Sequence, residues 1–565
     1  MIYPAFQKTN ITEWVEFNPV KIICSGYECD FLNRDFTITL PKERKGDTLY
    51  IHIVKENSRR TEYIEEACRI TDEKYFMDAE KCDDGMHLTL TVSGKKSLYR
   101  AKNRITQMQW DKKFFIGTVE DYPLFAERGY IEGFYGTPWS FEQRKDMIAF
   151  LSLFGMNTHY YAPKDDPYHR DKWDELYPEK ELSELSQLLE TCNKYYMDFY
   201  FCIAPGLSMK YSSEEDFLKL ARKAEQLYSI GVRNFGLLLD DIPENLYFDE
   251  DKTAFDGEAV NAHIHISNRF YGYLKQIDSN CRLTVCPLQY HGKGNEYYIS
   301  KLGKGIDGSI KIFWTGSNIC SQELTVREAV IFENSTNRKP LYWDNFPVND
   351  AEMQNEMHIG YINGREPDLY RYSEGIISNA MEYCVSSRIP LFTVCDYLWN
   401  PIAYDGYSSW KKACKLQFGD EAETFMPFFD NLLTSCLKVE NSPMMNAVLN
   451  DAQQKLFGGD KEGAKAAIKE YLAKLKKCII EIDLAMENPN KYFPSDEYLI
   501  FSELSPWIEK QKIAYSLILS ATFLFDDNSE SKKNLVQVFM EKYLNHPKTL
   551  CDFSLQAFAE RMLTL

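Results

Sequence analysis

Two adjacent carboxylates, Asp240 and Asp241, follow directly on an apolar run that begins at Asn234 and ends at Leu239. A short apolar run of this kind predicts a buried strand, so the sequence places two negative charges where that strand ends. Paired titratable groups at such a position are typical of functional sites. The structural alternative, for the pair alone, is that Asp241 caps a following helix, because Asp is a common N-cap residue.

Two carboxylates suggest glycoside hydrolysis, in which an acid protonates the leaving oxygen and a second group meets the positive charge at the anomeric carbon. Inverting enzymes hold their two carboxyls about 6.5–9.5 Å apart with a water between them. Residues that are neighbours in sequence, with Cα atoms about 3.8 Å apart, are badly placed for that. They suit a substrate that carries its own nucleophile, a 2-acetamido group. One carboxylate then orients and polarises the acetamido nitrogen, and the other works first as acid and then as base.

Other polar and aromatic residues end apolar runs elsewhere in the chain. They are Lys164, Tyr290, Asn345, Asp350 and Asn379, with the aromatic residues Tyr135, Trp314 and Trp343. Hydroxyl groups of a sugar need such donors and acceptors, and the apolar face of a sugar ring stacks on an aromatic side chain. A single Trp or Tyr at a strand end is usually part of a core. The whole set predicts a carbohydrate site.

Eight apolar runs separated by amphipathic segments occupy the middle of the chain. The runs are Tyr130–Gly136, Asn157–Lys164, Asp198–Gly206, Asn234–Asp241, Arg282–Tyr290, Ile310–Gly316, Leu341–Pro347 and Gly375–Met381. The segments between them predict helices, among them Phe141–Phe154, Glu179–Tyr196, Ser213–Ile230 and Glu258–Ile277. Eight strand and helix repeats indicate an α/β fold, a (β/α)8 TIM barrel over residues 125–412. A doubly wound open sheet is the alternative, but it usually carries a glycine-rich phosphate turn after its first strand.

The flanking regions have different patterns. Residues 1–124 contain short alternating segments, Asp35–Leu40, Thr48–Val54 and Met86–Val92, and predict a small α/β domain. Residues 413–565 have longer helical periodicities and predict a helical bundle. Its expected helices are Glu421–Leu437, Met445–Leu456, Lys461–Met486 and Glu509–Phe525.

Composition excludes several classes of partner. A formal net charge of -19 argues against nucleic acid, which needs a concentrated basic surface. The longest nearly apolar run, Ile513–Phe525, is shorter than the roughly 20 residues that span a bilayer, so no membrane insertion is expected. The 15 cysteines lack CxxC pairs and alternation with His. They indicate reduced thiols in a cytoplasmic protein, or a secreted one if an export signal was trimmed, and no metal or cofactor.

Five motifs together resemble glycoside hydrolase family 84, the β-N-acetylglucosaminidases often called O-GlcNAcases. They are RGYIEGFYGTPWSFEQR (Arg128–Arg144), NTHYYAPKDDPYHR (Asn157–Arg170), LLLDDIPE (Leu237–Glu244), WDNFPVND (Trp343–Asp350) and SNAM (Ser378–Met381). The resemblance spans the predicted barrel in motif order. Bacterial members of the family also place a small α/β domain before the barrel and a helical domain after it.

The resemblance implies a role for each matching residue. Asp240 orients and polarises the acetamido group, and Asp241 is the general acid/base of a retaining reaction through an oxazoline intermediate. Tyr290 binds near the acetamido oxygen, between Cys286 and Trp343. The remaining residues bind sugar hydroxyls or line the pocket: Gly133, Tyr135, Lys164, Asn345, Asp350 and Asn379. The expected partner is a carbohydrate or glycoprotein bearing β-linked N-acetylglucosamine, and a homodimer is left open.

Two alternatives remain at this point. An endo-acting hyaluronidase-type glycosidase would need an open groove, whereas Asp350 as a ligand of a terminal sugar hydroxyl favours a closed exo pocket. A non-catalytic glycan-binding protein has no need for the proton donor that the Asp240–Asp241 pair provides.

Overall fold

The computed structural model describes residues 2–30, 48–56, 72–487, 499–551 and 553–564. Its N-terminal part is a mixed sheet, as the α/β prediction for this region required. The strands are β1 (Lys8–Glu16), β2 (Lys21–Gly26), β3 (Thr48–Lys55), β4 (Tyr75–Cys82), β5 (Gly85–Val92) and β6 (Lys113–Asp121), in the order β1-β6-β4-β5-β3-β2. Helix α1 (Lys95–Asp111) contacts β4, β5 and β6. Two predicted strands are confirmed as β3 and β5, and the third, Asp35–Leu40, lies outside the described residues.

Eight parallel strands then close into a barrel, which confirms the predicted architecture and makes the open-sheet alternative wrong. They are β7 (Glu127–Glu132), β8 (Thr158–Tyr161), β9 (Asp198–Ile203), β10 (Asn234–Leu238), β11 (Arg282–Cys286), β12 (Lys311–Trp314), β13 (Leu341–Asp344) and β14 (Gly375–Asn379). Closure is made by β14, which pairs in parallel with β7 from Gly375 opposite Glu127 to Asn379 opposite Ile131. Seven of the predicted apolar runs contain one of these strands, and the first, Tyr130–Gly136, overlaps only the end of β7.

Two apolar layers follow from the alternation of side chains along the barrel strands. Inward-facing residues such as Tyr160, Phe313 and Ile377 fill the barrel interior. Outward-facing residues such as Phe235 and Trp314 join a larger core with the surrounding helices. The barrel interior is thus a packed apolar core, and the polar residues of the strands lie at its open end.

Helices connect and surround the strands. They are α2 (Phe141–Leu153), α3 (Glu179–Lys194), α4 (Glu214–Ser229), α5 (Asp249–Ala254), α6 (Ala259–Ile277), α7 (Tyr297–Gly305), α8 (Val326–Thr336), α9 (Leu369–Tyr372) and α10 (Cys384–Trp399). Ser213 begins α4 as an N-cap, because its side chain accepts a hydrogen bond from the backbone N–H of Asp216 at 3.2 Å. A short 3-10 turn, Ala351–Met353, lies in the loop after β13.

The C-terminal region is helical, as predicted. It contains α11 (Gly406–Phe418), α12 (Ala422–Phe429), α13 (Pro443–Phe457), α14 (Lys461–Glu487), α15 (Leu499–Glu503), α16 (Ser505–Thr522), α17 (Glu530–Asn545) and α18 (Ser554–Leu563), with 3-10 turns at Gly419–Glu421, Asp430–Leu432 and Phe523–Phe525. The predicted boundaries at 124/125 and 412/413 stay predictions, and α11 runs across the second. Within the described ranges, none of the helices combines the length and apolarity that crossing a bilayer requires.

One predicted helix, Glu421–Leu437, is too long. Helix α12 ends at Phe429, and the chain turns at the buried Asp430. The Asp430 carboxylate accepts the backbone N–H groups of Met444 and Met445 at 3.0 and 3.4 Å, at the start of α13. Because these helix N-terminal donors have no partner within their own helix, this tertiary contact competes with continuation of α12.

A buried ion cluster joins the N-terminal sheet to the barrel. Glu73 precedes β4, and its carboxylate accepts hydrogen bonds from Arg100 of α1 at 2.7 Å and from Arg128 of β7 at 2.6 Å. Arg100 also donates to the backbone of Ser152, at the end of α2. Burial alone would raise the pKa of Glu73, but the charges of Arg128 and Arg100 lower it to about 2.

Glu73→Gln should lower the free energy of unfolding by about 3–5 kcal/mol, because it leaves two buried guanidinium groups uncompensated. The folded-state pKa lies below the ordinary value of 4.5, so the contribution is fully present above about pH 4.5 and is lost as the pH falls through about 2. Urea unfolding from pH 7 to pH 2 measures both effects. The control is Glu80→Gln on the exposed face of β4, with an expected change within about 0.5 kcal/mol. An equal cost for the two variants contradicts the role of the cluster.

Candidate active site

A cavity of about 510 Å³ opens at the carboxyl ends of the barrel strands. Its volume is typical of small-molecule sites, which span about 300–1,000 Å³. The residues to which the family resemblance assigned roles all line it: Gly133, Tyr135, Lys164, Asp240, Asp241, Cys286, Tyr290, Trp343, Asn345, Asp350 and Asn379. They come from the ends of six strands and the loops that follow them, so barrel closure is what brings them together.

The two adjacent carboxylates occupy different environments just beyond β10. Asp240 is buried, with 9% of its surface exposed, whereas Asp241 is exposed. The backbone of Asp241 lies in the left-handed region, with φ of 52°. Such a conformation is uncommon for a residue other than glycine and is found preferentially at functional sites. With this backbone conformation, the carboxylates of two consecutive residues lie in different environments, one buried and one exposed.

Asp240 is paired on one oxygen only. The Nζ atom of Lys164, which follows β8, lies 3.6 Å from Oδ2 of Asp240, and both side chains are buried. Burial would lower the pKa of Lys164, but the electrostatic effects of Asp240, Tyr135 and Asp241 together outweigh it and raise that pKa, so the lysine stays protonated. Oδ1 of Asp240 is buried without a hydrogen-bond partner among the described residues. A buried carboxylate oxygen without a partner is costly, which indicates that a ligand supplies its donor.

Two tyrosines bind the carboxylate of Asp241. The hydroxyl of Tyr135 donates to Oδ2 at 2.9 Å, and that of Tyr290 donates to Oδ1 at 3.3 Å. Burial, followed by the charge of Asp241, raises the pKa of Tyr290, and burial raises that of Tyr135. Both hydroxyls therefore remain protonated donors at neutral pH.

Arg170 supports this arrangement, although the sequence did not single it out. Its guanidinium donates to the hydroxyl oxygen of Tyr135 at 3.1 Å and lies 3.5 Å from the backbone oxygen of Asp241. Arg170 lies within the loop after β8 rather than at a strand end, so inspection of strand ends misses it. Its place in the motif Asn157–Arg170 was the available signal.

A network of amides forms another wall of the cavity. Oδ1 of Asn345 accepts hydrogen bonds from Nε1 of Trp343 at 2.9 Å and from Nδ2 of Asn379 at 3.1 Å. Oδ1 of Asn379 in turn accepts the backbone N–H of Gly133 at 3.2 Å. The network holds the amides of Asn345 and Asn379 in one orientation. It links β13, β14 and the end of β7.

Gly133 allows the close approach of this wall. A Cβ atom at this position would lie 2.6 Å from Cζ2 and 2.9 Å from Cη2 of Trp343. Neither distance is accessible to a real side chain, and the indole ring is part of a packed wall. A residue without a side chain is therefore required here.

Asp350 and Cys286 complete the predicted set. Oδ2 of Asp350 accepts the backbone N–H of Tyr135 at 2.8 Å, and burial raises the pKa of this carboxyl. Cys286 is the last residue of β11 and is buried against Asp240. Burial, with the charge of Asp240, raises the pKa of the Cys286 thiol well above its ordinary value, so the thiol stays neutral.

One aromatic residue at a strand end was assigned wrongly from the sequence. Trp314 does not line the cavity; its indole stacks on Phe332 with ring centroids 4.9 Å apart, and it is almost fully buried. The reason is the alternation of side chains along β12, because Phe313 faces the barrel interior and Trp314 faces the helices. Other lining residues were missed: Thr315, Ile319, Cys320, Val348, Ala351, Glu352 and Met353.

Among the described residues, those that line the cavity do not form a cluster of side chains that could hold a metal ion. In the part of the chain that the structure describes, such side chains lie close enough to hold an ion at Cys82, Asp84 and His87, on the exposed hairpin between β4 and β5. The carboxylates of the cavity are instead bound by Lys164 and the tyrosine hydroxyls.

Carboxylates, amides and an indole at the carboxyl end of a closed (β/α)8 barrel define the class of barrel glycoside hydrolases. A family model for β-N-acetylglucosaminidase matches residues 128–431. The chain therefore belongs to the β-N-acetylglucosaminidase family of glycoside hydrolases, family 84, as the resemblance in sequence indicated.

Relatives and solved structures agree with this membership. The chain is 31% identical over 291 residues to the Protein O-GlcNAcase of Rattus norvegicus and to that of Mus musculus, covering 50% of this chain and 30% of each relative. It thus spans less than a third of the length of those relatives. A mutant of Thermobaculum terrenum O-GlcNAc hydrolase superposes with a TM-score of 0.71 and 29% identity, over 78% of this chain and 94% of that one. CpGH84B, at 24% identity, shares the fold over the whole of both chains with a TM-score of 0.82.

Proposed function

We propose that the chain is a retaining exo-β-N-acetylglucosaminidase that removes terminal β-linked N-acetylglucosamine by substrate-assisted catalysis. One observation carries this proposal: Asp240 has a buried, unpartnered oxygen beside Lys164, and its covalent neighbour Asp241 faces the same cavity. The carboxylate of Asp240 can accept a hydrogen bond from an acetamido N–H, and that of Asp241 can give a proton to a leaving oxygen.

In the first step Oδ1 of Asp240 accepts the acetamido N–H and makes the acetamido oxygen more nucleophilic. That oxygen attacks the anomeric carbon while Asp241 gives its proton to the leaving oxygen, and the glycosidic bond breaks. The product bound in the site is a protonated oxazoline, whose N–H stays hydrogen-bonded to the Asp240 carboxylate. Lys164 lies beside Asp240, and its charge contributes to the electrostatic stabilisation of the cyclisation.

In the second step Asp241, now ionised, accepts a proton from water as the water attacks the anomeric carbon. The oxazoline opens, and the acetamido group is restored. Two displacements on the same carbon give net retention of configuration. Tyr135 and Tyr290 orient the carboxylate of Asp241 between the steps by hydrogen bonding to its oxygens.

The walls of the cavity favour exo action. Asp350, Asn345 and Asn379 lie together around the backbone of Gly133 and Tyr135. We assign them, with the Gly133 carbonyl, to the hydroxyl groups at the non-reducing end of the sugar. Cys286, Tyr290 and Trp343 are assigned to the acetamido pocket.

The substrate class follows from the relatives called Protein O-GlcNAcase, and we infer a glycoprotein or oligosaccharide bearing terminal N-acetylglucosamine. The cysteines that the structure describes are free thiols. Free thiols suit a reducing compartment, so a cytoplasmic location is part of this proposal. A homodimer and the exclusion of nucleic acid stay predictions.

The test is hydrolysis of an aryl β-N-acetylglucosaminide followed by proton NMR of the fresh product. We expect release of the aryl group and initial formation of the β-anomer, because the intermediate is opened on the face that the leaving group occupied. First appearance of the α-anomer contradicts the proposal. A defined oligosaccharide serves as the matched substrate for mode of action, and we expect the monosaccharide as the only early product.

The same experiment separates the alternatives. An endo-acting hyaluronidase-type enzyme releases internal fragments from the oligosaccharide and little monosaccharide. A non-catalytic glycan-binding protein releases nothing from either substrate. The left-handed backbone at Asp241 argues against the second alternative, since strain at a carboxylate is typical of a catalytic position.

A further inference from the structure

The loop after β13, residues 345–356, carries two of the side chains assigned to sugar hydroxyls. Asn345 is its first residue, and Asp350 lies near its middle. Ala351, the residue after Asp350, also lines the cavity and has a left-handed backbone, with φ of 50°. A residue other than glycine keeps such a conformation only when the surrounding structure holds it. The position of the Asp350 carboxylate therefore depends on the contacts that fix this loop.

The C-terminal helical region contacts both ends of the loop. The thiol of Cys436, between α12 and α13, donates to the backbone oxygen of Asn345 at 3.6 Å. At the other end, Nζ of Lys548 donates to the backbone oxygen of Gln354 at 2.8 Å. Lys548 lies in the short segment between α17 and α18. This barrel loop is thus held by residues from outside the barrel.

The far end of the loop is also tied to Asp350. Nδ2 of Asn349, the residue before Asp350, donates to the backbone oxygen of Glu356 at 2.9 Å. The backbone oxygen of Asn355, next to Glu356, accepts the backbone N–H of Thr549 at 2.7 Å. A shift of this end of the loop therefore reaches the neighbour of Asp350 through a single side chain.

The segment that carries Lys548 is itself fixed to α16 and α17. Nζ of Lys510, in α16, donates to the backbone oxygen of Lys548 at 2.5 Å and lies 4.3 Å from the ring centroid of Tyr543, in α17. Nζ of Lys548 lies 4.2 Å from the ring centroid of Trp507, which is fully buried in α16. An ammonium group is attracted to the face of an indole ring. The ammonium of Lys548 therefore has a defined position, from which it donates to the loop.

We propose that Lys548 is a positioning residue that holds Asp350 where its carboxylate binds a terminal hydroxyl of the sugar. Lys548 does not line the cavity, so it acts through the backbone of Gln354 rather than on the substrate. The helical region is then part of the substrate-binding unit and not only a support for the barrel. The effect on sugar binding rests on the proposed function, whereas the hold on the loop does not.

Lys548→Met removes the donor and keeps an unbranched apolar side chain. We expect KM for the aryl glycoside to rise about three- to tenfold, the net contribution of one hydrogen bond, with kcat close to that of the parent. KM changes alone because the sugar hydroxyl is bound in the ground state as in the transition state. Asp350→Asn weakens the same contact directly. Adding Lys548→Met to Asp350→Asn should therefore raise KM little further, because the two changes act through one contact.

The experiment measures hydrogen exchange of the full chain by mass spectrometry without substrate, and kcat and KM of the same preparations on the aryl glycoside. Peptides covering residues 345–358 report on the loop, and peptides of the barrel strands report on the global fold. Lys548→Arg is the conservative variant, because it keeps both a donor and a cation over the Trp507 ring. Lys477→Met, at an exposed lysine of α14, is the matched control.

We expect faster exchange in the loop of Lys548→Met, unchanged exchange in its barrel strands, and the behaviour of the parent in Lys548→Arg and Lys477→Met. Loop exchange equal to that of the parent overturns the proposal, and so does an increase that the barrel strands share. An unchanged KM, or a rise that is fully additive with Asp350→Asn, overturns it as well. If the parent has no glycosidase activity, the proposed function fails, while loop exchange still decides whether Lys548 holds the loop.

Discussion

The Asp241→Asn variant is expected to lose most activity on substrates whose leaving oxygen must be protonated before it departs. Removal of a general acid costs about 10²–10⁴-fold in rate. For an alkyl or peptide glycoside, whose leaving oxygen is strongly basic, we expect a loss in kcat/KM toward the upper end of this range. A dinitrophenyl glycoside leaves without protonation, so its kcat/KM should fall far less. The measurement is kcat/KM across a series of aryl and alkyl leaving groups.

Asp171→Asn is the matched control for this variant. Asp171 is exposed in the loop after β8, next to Arg170, and does not line the cavity. The Asp171→Asn variant also removes one carboxylate charge from this end of the barrel. Its kcat/KM values across the leaving-group series should equal those of the parent. Equal losses for Asp241→Asn on all leaving groups would contradict the assignment of Asp241 as the acid.

The Asp240→Asn variant should lose activity without such a dependence on the leaving group. It keeps the shape of the side chain but removes the acceptor charge that polarises the acetamido group, and the loss of such an electrostatic contact costs about 10²–10³-fold in kcat. Because the lost interaction acts on ring closure rather than on the leaving oxygen, good and poor leaving groups should suffer alike. The same leaving-group series measures this.

Asp240→Asn also leaves the buried ammonium of Lys164 without its partner, so thermal unfolding must accompany the kinetics. A second variant, Lys164→Met, separates the two effects, because it removes the ammonium and leaves the acetamido acceptor in place. If the loss of activity in Asp240→Asn depends on the leaving group as it does in Asp241→Asn, this contradicts the separate roles assigned to the two aspartates.

Much of the barrel and of its mouth is predictable from the sequence because closure of a parallel barrel obliges strand ends to converge. Asp240, Asn345 and Asn379 could be placed in one cavity from their positions at or just after apolar runs. The side-chain direction of a residue depends on its register in the strand, and a one-residue difference reverses it. That is why Trp314 was misplaced while Trp343 was placed correctly.

The remaining features depend on contacts between elements far apart in sequence. The end of α12 at Phe429 is determined by the contact of Asp430 with α13, which no local propensity records. Arg170 acts through Tyr135, from a loop whose path periodicity does not predict. Cys436 reaches the backbone oxygen of Asn345 only when the helical region packs against the barrel, so this contact is a property of the tertiary fold.

The central claim is that the acetamido oxygen of the substrate is the nucleophile, held by Asp240. The most direct test replaces the acetamido methyl group with its mono-, di- and trifluorinated forms in one aryl glycoside and measures kcat/KM for each. Fluorine withdraws electrons and weakens the oxygen as a nucleophile, so we predict that kcat/KM falls steeply with each added fluorine. Values of kcat/KM that stay level across the series would show that a group of the protein or a water molecule attacks the anomeric carbon, and would contradict the mechanism.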